Sequence, residues 1–357
     1  MGAADPLVVE TVTRILRDLA DPQTVNSATD GAWRTPLWAA LEESGLTRAW
    51  LADDLGGAGA AMADGFAVVR ACGAYAVSIP VAETLLAAWL LGRAGLEAPD
   101  GAMTVAPARE KDVITIGPDG HLAGTARAVP FAADAVHLAV IATQNSNLMV
   151  ALVARTDCQI IAGTNLAGDA HTDINFDGVA VVKLAPVPAG TKDALTMIGA
   201  VARCVQMAGA LEALLDLCVD YAGERVAFGR PIGRFQAVQH ELAKLASETA
   251  AAMAASGAAA DAVATADAEG STFDDRVFFE VASAKVRIGE AARDGAAIAH
   301  QVHGAIGFTA EHVLHRYTRR LLAWRDDFGS ESVWAARLGA MVAAAGADAL
   351  WPTMTSG

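Results

Sequence analysis

Over residues 6 to 98 the apolar positions fall three and four apart, at Val8, Val12, Ile15, Leu16 and Leu19 and again at Leu85, Leu86, Trp89 and Leu90. That spacing puts them on one face of a helix of 3.6 residues per turn, and it predicts a helical N-terminal unit over 1–100. From Met103 to about Ala189 the period shortens. The runs Val113–Ile116, Val136–Ile141, Leu148–Val153, Ile174–Phe176 and Val179–Val182, separated by Gly, Asn and Asp, predict a small antiparallel β-domain over 101–190. Helical spacing returns at Lys192. It runs through Phe235, Val238, Leu242 and Leu245, then through Val277, Val281, Ala284 and Ile288, and predicts a four-helix bundle over 191–351. The Ala-, Asp- and Gly-rich stretch 250–272, with Gly257 and Gly270, predicts two helix ends and a loop. Residues 352–357 predict a frayed tail.

Composition sharpens the class without changing it. With 54% hydrophobic residues and 6% aromatics, closely packed helices with small contact residues are favoured over a large sheet sandwich, giving an α+β, mostly helical expectation. The formal net charge of −15 sets a field that repels nucleic acid and anionic membrane surfaces, so neither is an expected partner. Cys72, Cys158, Cys204 and Cys218 are scattered without a C-x-x-C pair, which fits a reducing compartment and points to the cytoplasm. Near the N-terminus Asp5 and Glu10 precede any apolar run, so no secretory leader is expected. The apolar stretch from Ile79 to Leu91 is interrupted by Glu83 and is too short for a bilayer.

Among candidate motifs, Leu55-Gly56-Gly57-Ala58-Gly59 has neither a preceding strand nor a following Gly-Lys-Ser/Thr, and reads as a turn rather than a phosphate loop. His300/His303 and His312/His315 share an i, i+3 spacing that could place two imidazoles on one helix face, but packing within the bundle is the expected use. His240, four residues after Gln236, could brace that glutamine or sit on an ordinary polar face. The basic run Arg316, Arg319, Arg320 and Arg325 stands out on an acidic chain and is expected in intersubunit salt bridges rather than in binding a phosphate.

Two further stretches carry more. Arg225-Val-Ala-Phe228-Gly229-Arg230-Pro231-Ile232-Gly233-Arg234-Phe235-Gln236 reads as a helix end, a turn forced by Gly229 and Pro231, and a new helix start. Gln301-Val-His303-Gly304-Ala305-Ile306-Gly307 reads as a helix that stops at Gly304 in a left-handed cap or close backbone approach. Together they resemble the two flavin-contacting signatures of the acyl-CoA dehydrogenase family, and the helix, β, helix order extends the resemblance over nearly the whole chain.

The resemblance implies oxidation of an acyl-CoA at Cα–Cβ, with a carboxylate taking the α proton and the β hydride passing to FAD. It also implies that Arg225, Phe228, Gln236, Gln301, Gly304 and Gly307 contact the FAD of a neighbouring subunit. Ala305 departs from the glycine expected there. The half of the site that each subunit builds for itself looks degenerate. The flavin-lining segment after Met103 is missing, since Val105-Ala-Pro107-Ala-Arg109-Glu110-Lys111-Asp112 leads straight to the next strand. Ala128 and Pro130 stand where an aromatic and a hydroxyl residue are expected, and Phe328 and Gly199 occupy the two usual positions of the base. Asp327 and Glu331 are the remaining acidic candidates. Such a chain resembles the degenerate subunit of actinobacterial α2β2 acyl-CoA dehydrogenases, several of which act on steroid thioesters; an electron-transfer flavoprotein-like acceptor is then implied. Two alternatives stay open: a self-sufficient homo-oligomer using Asp327 or Glu331, and a scaffold that has lost flavin.

Overall fold

The computed structural model describes residues 4–28, 30–271 and 273–355. In the N-terminal third, α1 (Pro6–Leu19) and α2 (Pro22–Ser27) each carry proline in the first turn and an aspartate before it, Asp5 and Asp21, that accepts an otherwise orphaned N–H. They are followed by α3 (Arg34–Glu43), α4 (Met62–Ala74) and α5 (Val81–Arg93). The 55–59 segment is a turn, with Gly56 at φ 91°.

The middle third is a sheet of β1 (Met103–Ala106), β2 (Ile114–Ile116), β3 (His121–Pro130), β4 (His137–Gln144), β5 (Asn147–Ala154), β6 (Gln159–Ile161), β7 (His171–Asn175), β8 (Val179–Ala180) and β9 (Lys183–Pro186). Its spine runs β6-β7-β3-β2-β4-β5-β9. The sheet is mixed where an antiparallel one was expected, because β1 lies parallel to β4 and β2 also meets β4 in parallel. Both faces of β4 and β5 are buried. Leu138, Val140, Ala151 and Val153 pack within the sheet's own core, whereas Ala139, Ile141, Val150 and Leu152 join the helical core. That explains why these strands read as continuous apolar runs.

The last part comprises α6 (Thr191–Glu224), the hairpin β10 (Val226–Ala227) and β11 (Arg230–Pro231), α7 (Gln236–Ala268), α8 (Asp275–His303), α9 (Leu314–Trp324), α10 (Glu331–Ala345) and α11 (Ala347–Thr355). Among the described residues α6 is the single helix long and apolar enough to cross a membrane, and its apolar stretch is 94% buried inside the protein. α10 and α11 would be long and apolar enough only if taken together, and they bend 117° apart. Where α6 crosses α4, a Cβ on Gly73 would collide with the Gln206 carbonyl and one on Gly209 with the Arg70 carbonyl. Two backbones therefore touch directly.

Three expectations are corrected here. α7 runs unbroken through Gly257, because Ala-rich neighbours hold the helix against one glycine; the loop is confined to 269–274, within which Thr272 lies outside the described residues. Residues 352–355 are helical, with Pro352 inside α11, while 356–357 lie outside the described residues. The basic run is consumed within the chain. Arg320 pairs with buried Asp169, Arg325 with Glu331, and Arg316 and Arg319 donate to the carbonyls of Ala76 and Leu166.

Candidate functional site

A crevice of about 540 Å³ opens between the sheet and the bundle, lined by Arg109, Arg127, Ala128, Pro130, His171 and Phe328 among others. Of the two positions from which a base was expected, Phe328 lines the crevice and packs on the other, Gly199. Phe328, held at φ 54°, lays its ring on Gly199, where a Cβ would stand 2.5 Å from the ring. A phenyl ring thus fills the space beside Gly199.

The β3 side of the crevice offers no free backbone donor. At the bulge between Ala126 and Val129, the Arg127 N–H donates to Asp112 (2.7 Å) and the Ala128 N–H to Asp173 (2.7 Å), while Pro130 has none. On the opposite wall the Thr196 hydroxyl is spent on the Lys192 carbonyl. A flavin ring needs hydrogen bonds to its ring nitrogens; the β3 backbone and Thr196 have none to give, and the donors on the rest of the lining include the side chains of Arg109, Lys111 and Arg337.

Asp327 also lines the crevice but is buried, at 6% exposure. One oxygen accepts from Arg203 Nε (2.9 Å) and the other meets His171 Nε2 (3.0 Å). Burial pushes this carboxyl up, but the Arg203 guanidinium and His171 outweigh it and hold it below the ordinary range. Such a group is a poor base at neutral pH. Arg203 also binds Gln206 and Glu83, and Glu83 is driven upward by burial despite that guanidinium, one of its oxygens having no partner. Lys285 closes the cluster by donating to the carbonyls of Trp324, Arg325 and Asp327 at the end of α9. The hub joins α5, α6, α8, the sheet and the loop after α9. Glu331, the other acidic candidate, is clamped by Arg325 against Gly289, away from the crevice.

The opposite situation holds at the far end of α6. Arg225 ends that helix, and the hairpin turns over Phe228 and Gly229, both left-handed at φ 52° and 79°. Phe228 is 96% exposed. Arg230 stacks on Phe235 at 4.3 Å, and Gln236 opens α7. The side chains of Arg225, Gln236 and Gln301 are exposed and make no hydrogen bond among the described residues. Gln301 shares an open groove with Ala237, His240, Glu241, Lys244 and Glu248 of α7, so the two signatures lie side by side. His240 does not brace Gln236; Gln239 instead donates to the Gly233 carbonyl. Gly304 caps α8 at φ 64° and is exposed, whereas Gly307 is buried under Leu314 and serves packing. Exposed amides and a guanidinium around an uncovered backbone turn suit an anionic pyrophosphate.

A family model described as acyl-CoA dehydrogenase, C-terminal domain, matches residues 192–343. Acyl-CoA dehydrogenase IpdE2 of Mycobacterium tuberculosis (strain ATCC 25618 / H37Rv) is 30% identical over 321 residues, 87% of this chain and 88% of that protein. The chain belongs to the acyl-CoA dehydrogenase family. Among solved structures, a chain of the ChsE4-ChsE5 complex from Mycobacterium tuberculosis is similar with a TM-score of 0.81 and 25% identity, covering 94% of this chain and 96% of that one. The Tcur3481-Tcur3483 steroid ACAD G363A variant shares the fold at a TM-score of 0.81 and 23% identity, over 95% and 97% of the two chains.

In this acyl-CoA dehydrogenase the charge hub is the feature the sequence did not reveal. Arg203 is the lone cation within the apolar run of α6, and that isolation was the available signal of a buried ion pair. Tyr221, four residues before Arg225 on the same helix face, was overlooked as well. The histidines 300, 303, 312 and 315 pack among themselves and their neighbours, and no group of three or more metal-ligating side chains occurs among the described residues.

Proposed function

We propose that this chain is one subunit of an FAD-dependent acyl-CoA dehydrogenase that oxidises an acyl-CoA thioester at Cα–Cβ, and that it completes the flavin site of a homologous partner supplying the base. The observation that carries this reading is the contrast between the two ends of the bundle. Phe328 on Gly199 closes the place of the base, while Arg225, Gln236 and Gln301 stand exposed with their donors unspent. FAD, when bound, accepts the hydride from Cβ. This chain's part is to hold the anionic end of that cofactor through the Arg225 guanidinium, the Gln236 and Gln301 amides and the backbone at Gly304. Burial and ion pairing of Asp327 argue against the self-sufficient alternative.

The likeness to one chain of the ChsE4-ChsE5 complex supports a two-component assembly, with α2β2 as the stoichiometry to test. A steroid side-chain thioester is the first substrate to try, since the same fold serves a steroid ACAD, and an electron-transfer flavoprotein-like protein is the acceptor to supply. The test is flavin content and native mass of the chain alone and after co-expression with a homologous acyl-CoA dehydrogenase. Flavin retained only in a mixed tetramer supports the proposal. A flavin-loaded homo-oligomer that turns over acyl-CoA overturns it, and a mixed tetramer indifferent to Arg225→Ala and Gln236→Ala supports the scaffold alternative instead.

A further inference from the structure

Tyr221 touches both signatures at once. Its carbonyl accepts the Arg225 N–H at 2.9 Å, so it sets the backbone from which the guanidinium departs. Its phenol donates to the carbonyl of His303, the last residue of α8, at 3.3 Å. That carbonyl belongs to the last turn of a helix, where no intrahelical partner exists. The Tyr221 ring also stacks on the His303 imidazole, with centroids 4.3 Å apart and planes at 23°, and His312 closes against Tyr221 edge-on at 6.0 Å.

His303 is fixed in turn. Its Nδ1 lies 2.8 Å from the Ala299 carbonyl and donates to it, leaving Nε2 as a buried acceptor without a partner. The next residue is Gly304, at φ 64°, where the chain leaves the helix and exposes Gly304, Ala305 and Ile306. The exposed turn is therefore held from its inner side by one stack, and the same tyrosine anchors Arg225.

From this geometry we infer that Tyr221 is a positioning residue for flavin: acting through His303, it fixes the Gly304 turn relative to Arg225 so that both reach one cofactor of the partner. The inference rests on the proposed function above. Tyr221 acts in this scheme through His303 and the Arg225 backbone rather than by contact with the cofactor or the acyl group.

The test uses the full chain in complex with its partner and compares Tyr221→Phe, Tyr221→Ala and Arg225→Ala. Flavin affinity is read by reconstitution of the flavin-stripped complex, alongside its melting temperature and the KM for acyl-CoA. Tyr221→Phe keeps the stack and loses one hydrogen bond, so flavin should bind roughly three- to tenfold more weakly. Tyr221→Ala should weaken it further, with Phe as the partial rescue, and KM for the thioester should not move. A Tyr221→Phe complex with wild-type flavin affinity overturns the inference, whether or not the alanine variant folds. So does a Tyr221→Phe complex whose melting temperature falls while its flavin affinity holds. Arg225→Ala separates the two levels. If it loosens flavin and the Tyr221 variants do not, this inference alone fails; if it leaves flavin untouched, the reading of this end as a flavin contact fails and takes the inference with it.

Discussion

Asp327 has the residue type of a base and the surroundings of a structural ion. Replacing it by Asn removes one of the two carboxylates facing Arg203, a residue 1% exposed, and leaves that guanidinium to Glu83 and Gln206. Breaking one side of a buried pair costs about 3–5 kcal/mol, so Asp327→Asn should lower the thermal midpoint sharply, as measured by circular dichroism. The pH dependence has a definite sign. Because the folded carboxyl lies below its unfolded value, its stabilisation is present above about pH 4 and is lost as pH falls through the folded value. Phe328 gives the complementary experiment. Phe328→Glu returns a carboxylate to one expected position, yet the β3 donors remain committed to Asp112 and Asp173. Purified alone, the variant should still lack stoichiometric flavin in its absorbance spectrum. A yellow variant that turns over acyl-CoA would show the ring to be the one obstacle.

Elements were legible wherever one face was buried and the period was unbroken. The helices of the bundle stand out for that reason, whereas β4 and β5 show instead as apolar runs because both of their faces are buried. β3, the longest strand, escaped because Gly124 and three alanines give it little strand character, and the bulge between Ala126 and Val129 breaks its alternation. The crossing of α4 on α6 was equally hidden. Gly73 and Gly209 look like ordinary interruptions of helical pattern, and only the packed structure reveals that each faces a carbonyl of the other helix. Gly209→Ala, favourable in an isolated helix, should therefore destabilise the protein by roughly 1–3 kcal/mol through overpacking, measurable by chemical denaturation. The C-terminal end of α8 adds a pH signature. Burial lowers His300, His303 and His312, with neighbouring imidazoles adding to it. The unfolded chain thus takes up these protons first, and stability should fall as pH drops below about 6.5 in a melting-temperature series.

At the scale of the whole molecule, the two signatures around Arg225 and Gly304 were readable because their residues cluster within short segments. The charge hub was not, since Glu83, His171, Arg203, Lys285 and Asp327 come from five separate stretches and only folding unites them. The remaining puzzle is Phe228, a large apolar residue 96% exposed on a hairpin tip in a left-handed conformation. A non-glycine residue there costs about 1–2 kcal/mol, against which the isolated chain sets an edge-on contact of the exposed ring with Phe235, centroids 6.1 Å apart. The cost makes sense if the ring is buried in an assembly, where an aromatic anchor is worth about 2 kcal/mol or more. Phe228→Gly should then act with opposite signs. It should raise the denaturation midpoint of the chain alone, because glycine accepts the turn freely, and it should weaken the mixed complex by roughly tenfold or more in analytical ultracentrifugation. If the variant assembles as tightly as the wild type, the exposed ring has no place in the interface, and the hairpin meets the partner through Arg225 and Gln236 without it.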